Sequence, residues 1–513
     1  MTSRVVVAAC SVLASLAVAG CGARATGPDD PIVIAIANSP AILDPRIGTD
    51  EYSQKAHQLL FSSLYKIAPD LRVVPELAES EARPDDRTYD IRIRKGVRFH
   101  DGRELTSGDV AYTFGSFLDP KFGGRSGAYR AMLASVRAID DYTVRFTLKQ
   151  PSSSFLVNLV MGIVPNGSGQ TNVRTPIGTG PYKLVEFVPD DRLVLAAYPD
   201  YWGGAPRNKG LVLKVVPDDT MRGLELRKGS IDLVVNDLSP DIVWQLGSER
   251  KLKSARAEGT DYAYVGFNLQ HPELAKPEVR RAIGFAVNRQ AIVEHLRRGL
   301  GTAAVGIVPP MSWAFEKDVF TFRYDAGEAV RLLDAAGLRD PDGDGPAPRL
   351  TLTLRTSTSE IYRLQAAAIQ HDLAAVGIRL DVRSTETQTL FADIVRGNFQ
   401  MYTAVFVGVT DPDMLRRVFH SLQQPPTGLN RVHYVNPDVD RLIDAASAAQ
   451  AEPERRTFYA QAQRIIAADA PYLPLWYRTN VAVYQPDLEG VALSPIADFA
   501  FLKDVRRTTV APR

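Results

Sequence analysis

Residues 31–38, PIVIAIAN, form a short apolar run with β-branched side chains and read as a buried strand. Residues 52–65 follow with Ala56, Leu59, Leu60 and Leu64 at helical spacing. A strand followed by an amphipathic helix opens an α/β lobe. Further along, YDIRI (89–93) and TVRFTL (143–148) alternate as half-buried strands do. Between them, TSGD (106–109) precedes Val110, Tyr112, Phe114 and Phe117. A polar cap before an apolar face marks a helix start. Glycine and proline cluster in PIGTGPY (176–182), and strand-like runs follow at 182–187, 193–198 and 211–216.

Beyond Pro277 the texture changes. Residues 278–298 are predicted to form one long amphipathic helix with Val279, Ala282, Ile283, Ala286, Ile292 and Val293 on its inner face. Helices over 326–336 and 361–376 each lead into a strand, at 350–355 and 378–383. Each of these helices ends at a glycine, Gly337 and Gly377, the residue that a left-handed C-cap favours. The alternation predicts a second α/β lobe with a largely parallel sheet. No internal repeat with a period of about 20–50 residues is evident.

The opposite end reads as export machinery. Arg4 precedes an apolar run of about fifteen residues, shorter than the ~20 that span a bilayer. The run ends in VAGC (18–21), which resembles the bacterial lipobox, with Cys21 acylated and becoming the new N-terminus. Residues 1–20 are thus a signal peptide and 21–31 a lipid-anchored linker rich in Gly, Pro, Ala and Asp. The chain is expected to be exported and held at a membrane, facing the periplasm or the cell exterior.

Composition narrows the function. The 513 residues suggest two to four domains at about 100–200 residues each. Lys+Arg is 60 and Asp+Glu is 59, so nothing pulls the whole molecule toward nucleic acid. Loss of residues 1–20 removes Arg4 and leaves the body neutral. The cysteines are Cys10 and Cys21, so the body has neither a disulfide framework nor a thiol nucleophile. H-E-x-x-H, G-x-S-x-G and the phosphate-binding G-x-x-x-x-G-K-[ST] are all missing. The seven histidines are scattered, and His420 and His433 lie thirteen apart. No metal site, cofactor or catalytic residue is assigned. DPDGDG (340–345) spaces carboxylates as a calcium loop does, but its twelfth position is Thr351 and a strand follows. It reads as a rigid acidic turn.

Several segments together resemble one family. They are LDP (43–45), VPELA (74–78), RKGVRFHDG (94–102), LTSGDV (105–110), GTGPY (178–182), DYWGG (200–204), VRRAI (279–283), VNR (287–289) and DP (411–412). In this order they are similar to the extracytoplasmic solute-binding proteins of ABC importers, family 5, which includes dipeptide, oligopeptide and nickel binders. The resemblance implies a periplasmic-binding-protein-like type II fold: two α/β lobes joined by a hinge, plus an extra α+β domain. It divides the chain into lobe I (32–57, 175–262 and 487–513), the extra domain (58–174) and lobe II (263–486). It implies a monomeric receptor, not an enzyme, that closes on a peptide or similar small polar solute and delivers it to a membrane permease. A non-peptide solute such as a nickel chelate or an oligosaccharide, or a sensing role on the same fold, stays open.

The resemblance also places the ligand. It implies contacts from Thr49, Asp50 and Tyr52 after the first strand, and from Tyr262, Tyr264 and Asn268 at the crossover. Phe406, Gly408, Thr410 and Asp411, with Asn430 and Arg431 downstream, complete the set. One departure bears on the ligand. Dipeptide and oligopeptide binders carry an aspartate three positions before the aspartate of Asp-Pro, pairing with the peptide ammonium. Here that position is Gly408. A buried ammonium needs a carboxylate; either Asp50 or Asp411 substitutes, or the ligand is not a peptide.

Overall fold

Two strands carry the chain between its halves. Lys253–Phe267 runs out and Tyr472–Tyr484 runs back, paired antiparallel along most of their length. The computed structural model describes residues 27–508 except 124–125, 170–172, 250, 344 and 427. The signal peptide, Cys21 and most of the linker lie outside the described residues.

The first lobe gathers around the opening strand, Ile32–Ile36, every residue of which is buried. It lies parallel to Gly210–Val215 on one side and to Leu233–Val235 on the other. Arg192–Ala197 and Tyr182–Val188 extend the sheet antiparallel beyond Gly210–Val215. Helix Glu51–Leu60 covers one face, with Ala56, Leu59 and Leu60 in the core. The C-terminal segment is tied in by charge. Arg507 pairs with Asp232 and, at 2.8 Å, with Asp487. Asp232 also accepts from the Val33 amide at 2.7 Å.

A separate antiparallel sheet has the order Ala78–Asp85, Thr88–Ile93, Thr143–Leu148, Leu133–Asp140. Helix Ser107–Gly115 packs Val110 and Phe114 into its core, and Thr106 with Asp109 forms the capping box at its start. This unit is joined to the first lobe through GTGPY. A Cβ on Gly178 would lie 1.9 Å from the Leu60 carbonyl oxygen, so the loop packs backbone to backbone against the end of the opening helix. His100 clamps the same loop. Its Nδ1 accepts from the Gly178 amide at 3.4 Å and its Nε2 lies 3.0 Å from the Gly180 carbonyl, so the neutral tautomer with hydrogen on Nε2 satisfies both.

The second lobe corrects two expectations. Its sheet is parallel only where Leu350–Ser357 lies between Ile378–Thr385 and Met401–Phe406. The crossing strands are antiparallel, because one enters the lobe and the other leaves it. The predicted helix over 278–298 is broken: Pro277–Ala286 is helical, Arg289–Ala291 is a separate turn, and Ile292–Leu296 is a wider π-type turn. Asn288 causes the break. Its side chain caps Ala291 at 3.0 Å, and its own amide donates to Asp372 at 2.8 Å. The helices ending at Gly337 and Gly377 close as read, with φ of 84° and 79°.

Ten strands in line make the continuous sheet, and Gly301–Ala303 pairs alongside Tyr472–Tyr484. The crossing strands change register between Glu258 and Tyr262. Gly259, in that bulge, approaches so closely that a Cβ would lie 2.3 Å from the Arg478 carbonyl oxygen.

Burial lowers the His100 pKa from 6.5 to about 4. The unfolded chain therefore binds the extra proton between these values. His100 stabilisation is complete above pH 6.5 and is lost as the pH falls toward 4. Discounted for the partly exposed ring, the loss is about 2 kcal/mol. Urea unfolding at pH 7 and 4.5 checks this: His100→Gln is expected to lose less stability on acidification than the parent.

Candidate functional site

The bulge opens onto a large cleft. A cavity of about 630 Å³ lies beside the strand crossing, lined from both lobes and from the small antiparallel unit. Thr49, Glu51 and Lys55 enter from the opening helix and the turn before it, and Asn236 from the end of Leu233–Val235. Asp261 and Arg478 come from the crossing strands, Gly408 and Thr410 from the loop after Met401–Phe406. Val160, Met161 and Gly162 close another wall.

Asn236 is the knot at the crossing. Its φ of 61° puts it in the left-handed region, which asparagine tolerates better than most residues. Its Oδ1 accepts from the Val481 amide at 2.9 Å, and its Nδ2 donates to Asn480 at 3.0 Å. Asn480 donates in turn to the Pro495 carbonyl at 2.9 Å. Arg478 donates to the Asn236 carbonyl at 2.6 Å. These contacts hold the lining in place before any solute arrives.

The lining carries balanced charge. Lys55 pairs with Glu51 one turn away at 2.8 Å. Burial would raise the Glu51 carboxyl, but Lys55 outweighs it and holds the pKa below the ordinary value. Across the cleft, Asp261 lies 3.6 Å from Arg478 and accepts from the Gly408 amide at 2.9 Å.

The residues implied by the resemblance divide into groups. Thr49, Gly408 and Thr410 come together on the cavity. Asp50 caps the opening helix, accepting from the Ser53 amide at 2.8 Å. Tyr52 donates to Asp237 at 3.0 Å, and burial first, then the Asp237 charge, raises its pKa. Tyr264 stacks between Phe406 at 4.9 Å and Tyr472 at 4.4 Å, with Tyr262 stacked at 5.6 Å, inside the second lobe. Tyr262 lines a separate cavity of about 40 Å³ there. Asn268 and Asn430 are buried and hold backbone: Asn268 donates to the Phe399 carbonyl at 2.9 Å, and Asn430 to that of Tyr434 at 2.7 Å. Arg431 lies over the Phe391 ring at 5.3 Å.

Asp411 is an inter-unit contact. It accepts from Ser154 of the small unit at 3.1 Å, and Ser154 accepts from Arg455 of the second lobe at 3.1 Å. Burial raises the Asp411 pKa, and burial with the Asp411 charge lifts Asp413 to about 6. Arg72–Glu452 at 2.8 Å joins the same two units, and Arg298–Asp241 at 2.7 Å joins the two lobes.

Sequence reading missed Glu51, Lys55, Asn236, Asp261 and Arg478. The signal available was strand alternation: with Tyr262 and Tyr264 facing the core, Asp261 faces away from it. Among the described residues no group of three or more His, Cys, Asp or Glu is arranged to hold a metal ion. Asp342 closes its acidic turn by accepting from Ala347 at 3.0 Å.

Residues 72–424 match the profile of the bacterial extracellular solute-binding proteins, family 5. The chain belongs to this family. The oligopeptide-binding protein AppA of Bacillus subtilis is 30% identical over 91% of this chain and 90% of its own. Its structure with a nonapeptide superposes with a TM-score of 0.77 at 29% identity, covering 94% of this chain and 99% of that one. DppA from Helicobacter pylori, solved with the peptide STSA, gives a TM-score of 0.77 at 26% identity, covering 93% and 98%. The heme-binding protein A of Haemophilus influenzae is 28% identical over 90% of this chain and 89% of its own. The two-lobe type II fold expected from the resemblance stands. Among the described residues no helix is long and apolar enough to cross a membrane.

Asn236→Ala removes two side-chain hydrogen bonds and leaves a β-carbon residue in the left-handed region. It is expected to cost about 2–3 kcal/mol in urea unfolding.

Proposed function

We propose that this chain is the receptor of an ABC importer, capturing short peptides in the cleft at the strand crossing and delivering them to a membrane permease. The observation that carries the reading is the cavity itself, lined from both lobes by balanced charge. About 630 Å³ lies within the ~300–1,000 Å³ usual for ligand pockets. A solute touching both lobes favours the closed form over the open one, which gives binding its mechanical output. The lining favours a peptide over a heme, because four charged side chains and the amides of Gln54, Gln58, Asn236 and Asn480 are interspersed with its apolar residues, where a porphyrin face would call for apolar walls.

In this reading residues 32–57, 175–262 and 487–513 move as lobe I with the extra domain, 58–174, against lobe II, 263–486. The crossing strands belong to both lobes, since Ala482 and Val483 pack in the first while Leu473 and Leu475 pack in the second. Residues 1–20 direct export, Cys21 carries the lipid anchor, and the protein works as a monomer without turnover of its ligand.

Native mass spectrometry of the purified protein tests the reading. Co-purifying peptides released on denaturation are the expected result; a heme, a metal chelate or a sugar in their place overturns it. Cys21→Ser is expected to move the protein from the membrane fraction to the soluble one.

A further inference from the structure

Four Asp, Glu, Lys or Arg side chains line the cleft, two of each sign: Glu51, Lys55, Asp261 and Arg478. They are not equally engaged. Glu51 and Lys55 pair closely at 2.8 Å, one helical turn apart. Asp261 and Arg478 are separated by 3.6 Å, beyond hydrogen-bond reach. Arg478 is committed to the Asn236 carbonyl at 2.6 Å. Asp261 accepts from the Gly408 amide through Oδ1 at 2.9 Å, and its Oδ2 takes no hydrogen bond from the described residues.

We propose that Asp261 receives the positively charged amino terminus of the bound peptide. The inference rests on the peptide-receptor reading and assigns the residue that selects for a free amine. Three features converge. The carboxylate is mostly buried, its side chain 19% exposed, so a charge partner is worth more there than in bulk water. One oxygen is fixed by a backbone amide while the other, 3.6 Å from the Arg478 guanidinium, takes no hydrogen bond from the described residues, which orients the group and leaves that oxygen able to accept from a ligand. The loop that donates to it is uncrowded, since a Cβ on Gly408 would meet nothing within 4 Å. Gly408 has a φ of 65°, so the loop presents its amide to Asp261 and no side chain to the ligand.

The bulge explains why Asp261 stands there. The register shift between Glu258 and Tyr262 takes Gly259, Thr260 and Asp261 out of the ladder. Tyr262 and Tyr264 return to the core, and Asp261 remains on the cleft side. A zwitterionic ligand then adds no net charge to a lining that carries two acidic and two basic side chains.

The test uses a pooled tripeptide library in two forms, free and N-acetylated, with retention read by mass spectrometry after rapid desalting. The parent protein is expected to retain the free form at least about tenfold over the acetylated form, and Asp261→Asn to abolish that preference. Asparagine keeps the acceptor for the Gly408 amide, so the loop stays in place; an unchanged thermal midpoint verifies it. Asp50→Asn and Asp411→Asn are expected to keep the preference. Retention of both forms alike by the parent, or an undiminished preference in Asp261→Asn, overturns the assignment while leaving the peptide reading intact. Retention of neither form by the parent overturns both.

Discussion

The molecule depends on the antiparallel pairing of Lys253–Phe267 with Tyr472–Tyr484. Every amide of these strands must find a partner, and in the interior the partners are the other strand and the strands that flank the pair. Because the pair runs through both lobes, the lobes share one sheet and cannot part without breaking the ladder. The ladder shifts register between Ala263 and Tyr264 and, more widely, at the bulge between Glu258 and Tyr262. Gly259 lets the two backbones touch at that point. The cleft, the Asn236 knot and the only loosely paired carboxylate of the lining all adjoin it.

Electrostatics then gives the cleft its character. A net charge left in a cavity carries a desolvation cost that only a precise partner offsets. The paired charges of the lining avoid that cost. Direct contacts outside the cavity, Ser154–Asp411, Arg72–Glu452 and Arg298–Asp241, already bridge the units. Arg72–Glu452 and Arg298–Asp241 are exposed ion pairs and contribute little each, while Asp411 is buried at its contact with Ser154.

Much of the architecture was legible because local chemistry and tertiary structure agree. The all-apolar opening strand, the alternating TVRFTL and the Thr106 cap behave as their patterns require. The break at Asn288 was hidden because apolar spacing continues through it to Val293 while one polar side chain diverts the backbone. The antiparallel crossing was hidden because alternation of helix and strand speaks for neighbours in sequence, and these strands are separated by some two hundred residues. The site was less legible than the fold. Tyr262, Tyr264 and Asn430 have the chemistry of ligand residues, yet they hold the second lobe together. Glu51 and Lys55 have the look of an ordinary exposed helix pair, yet they line the cleft. A polar residue's role there is decided by which face of a strand or helix meets the other lobe, and one sequence carries no record of that.

The central claim is that solute binding closes the lobes about the bulge. The absence of cysteine beyond residue 21 makes the claim measurable, since labels go only where they are placed. Spin labels at Leu224, exposed on helix Asp219–Lys228, and at Leu364, exposed on helix Glu360–Ala374, report the distance between lobes by double electron–electron resonance. A broad distribution with a long component that collapses to one shorter distance on saturation with the free tripeptide pool is the predicted result. A distribution unchanged by peptides that the protein demonstrably retains would contradict it.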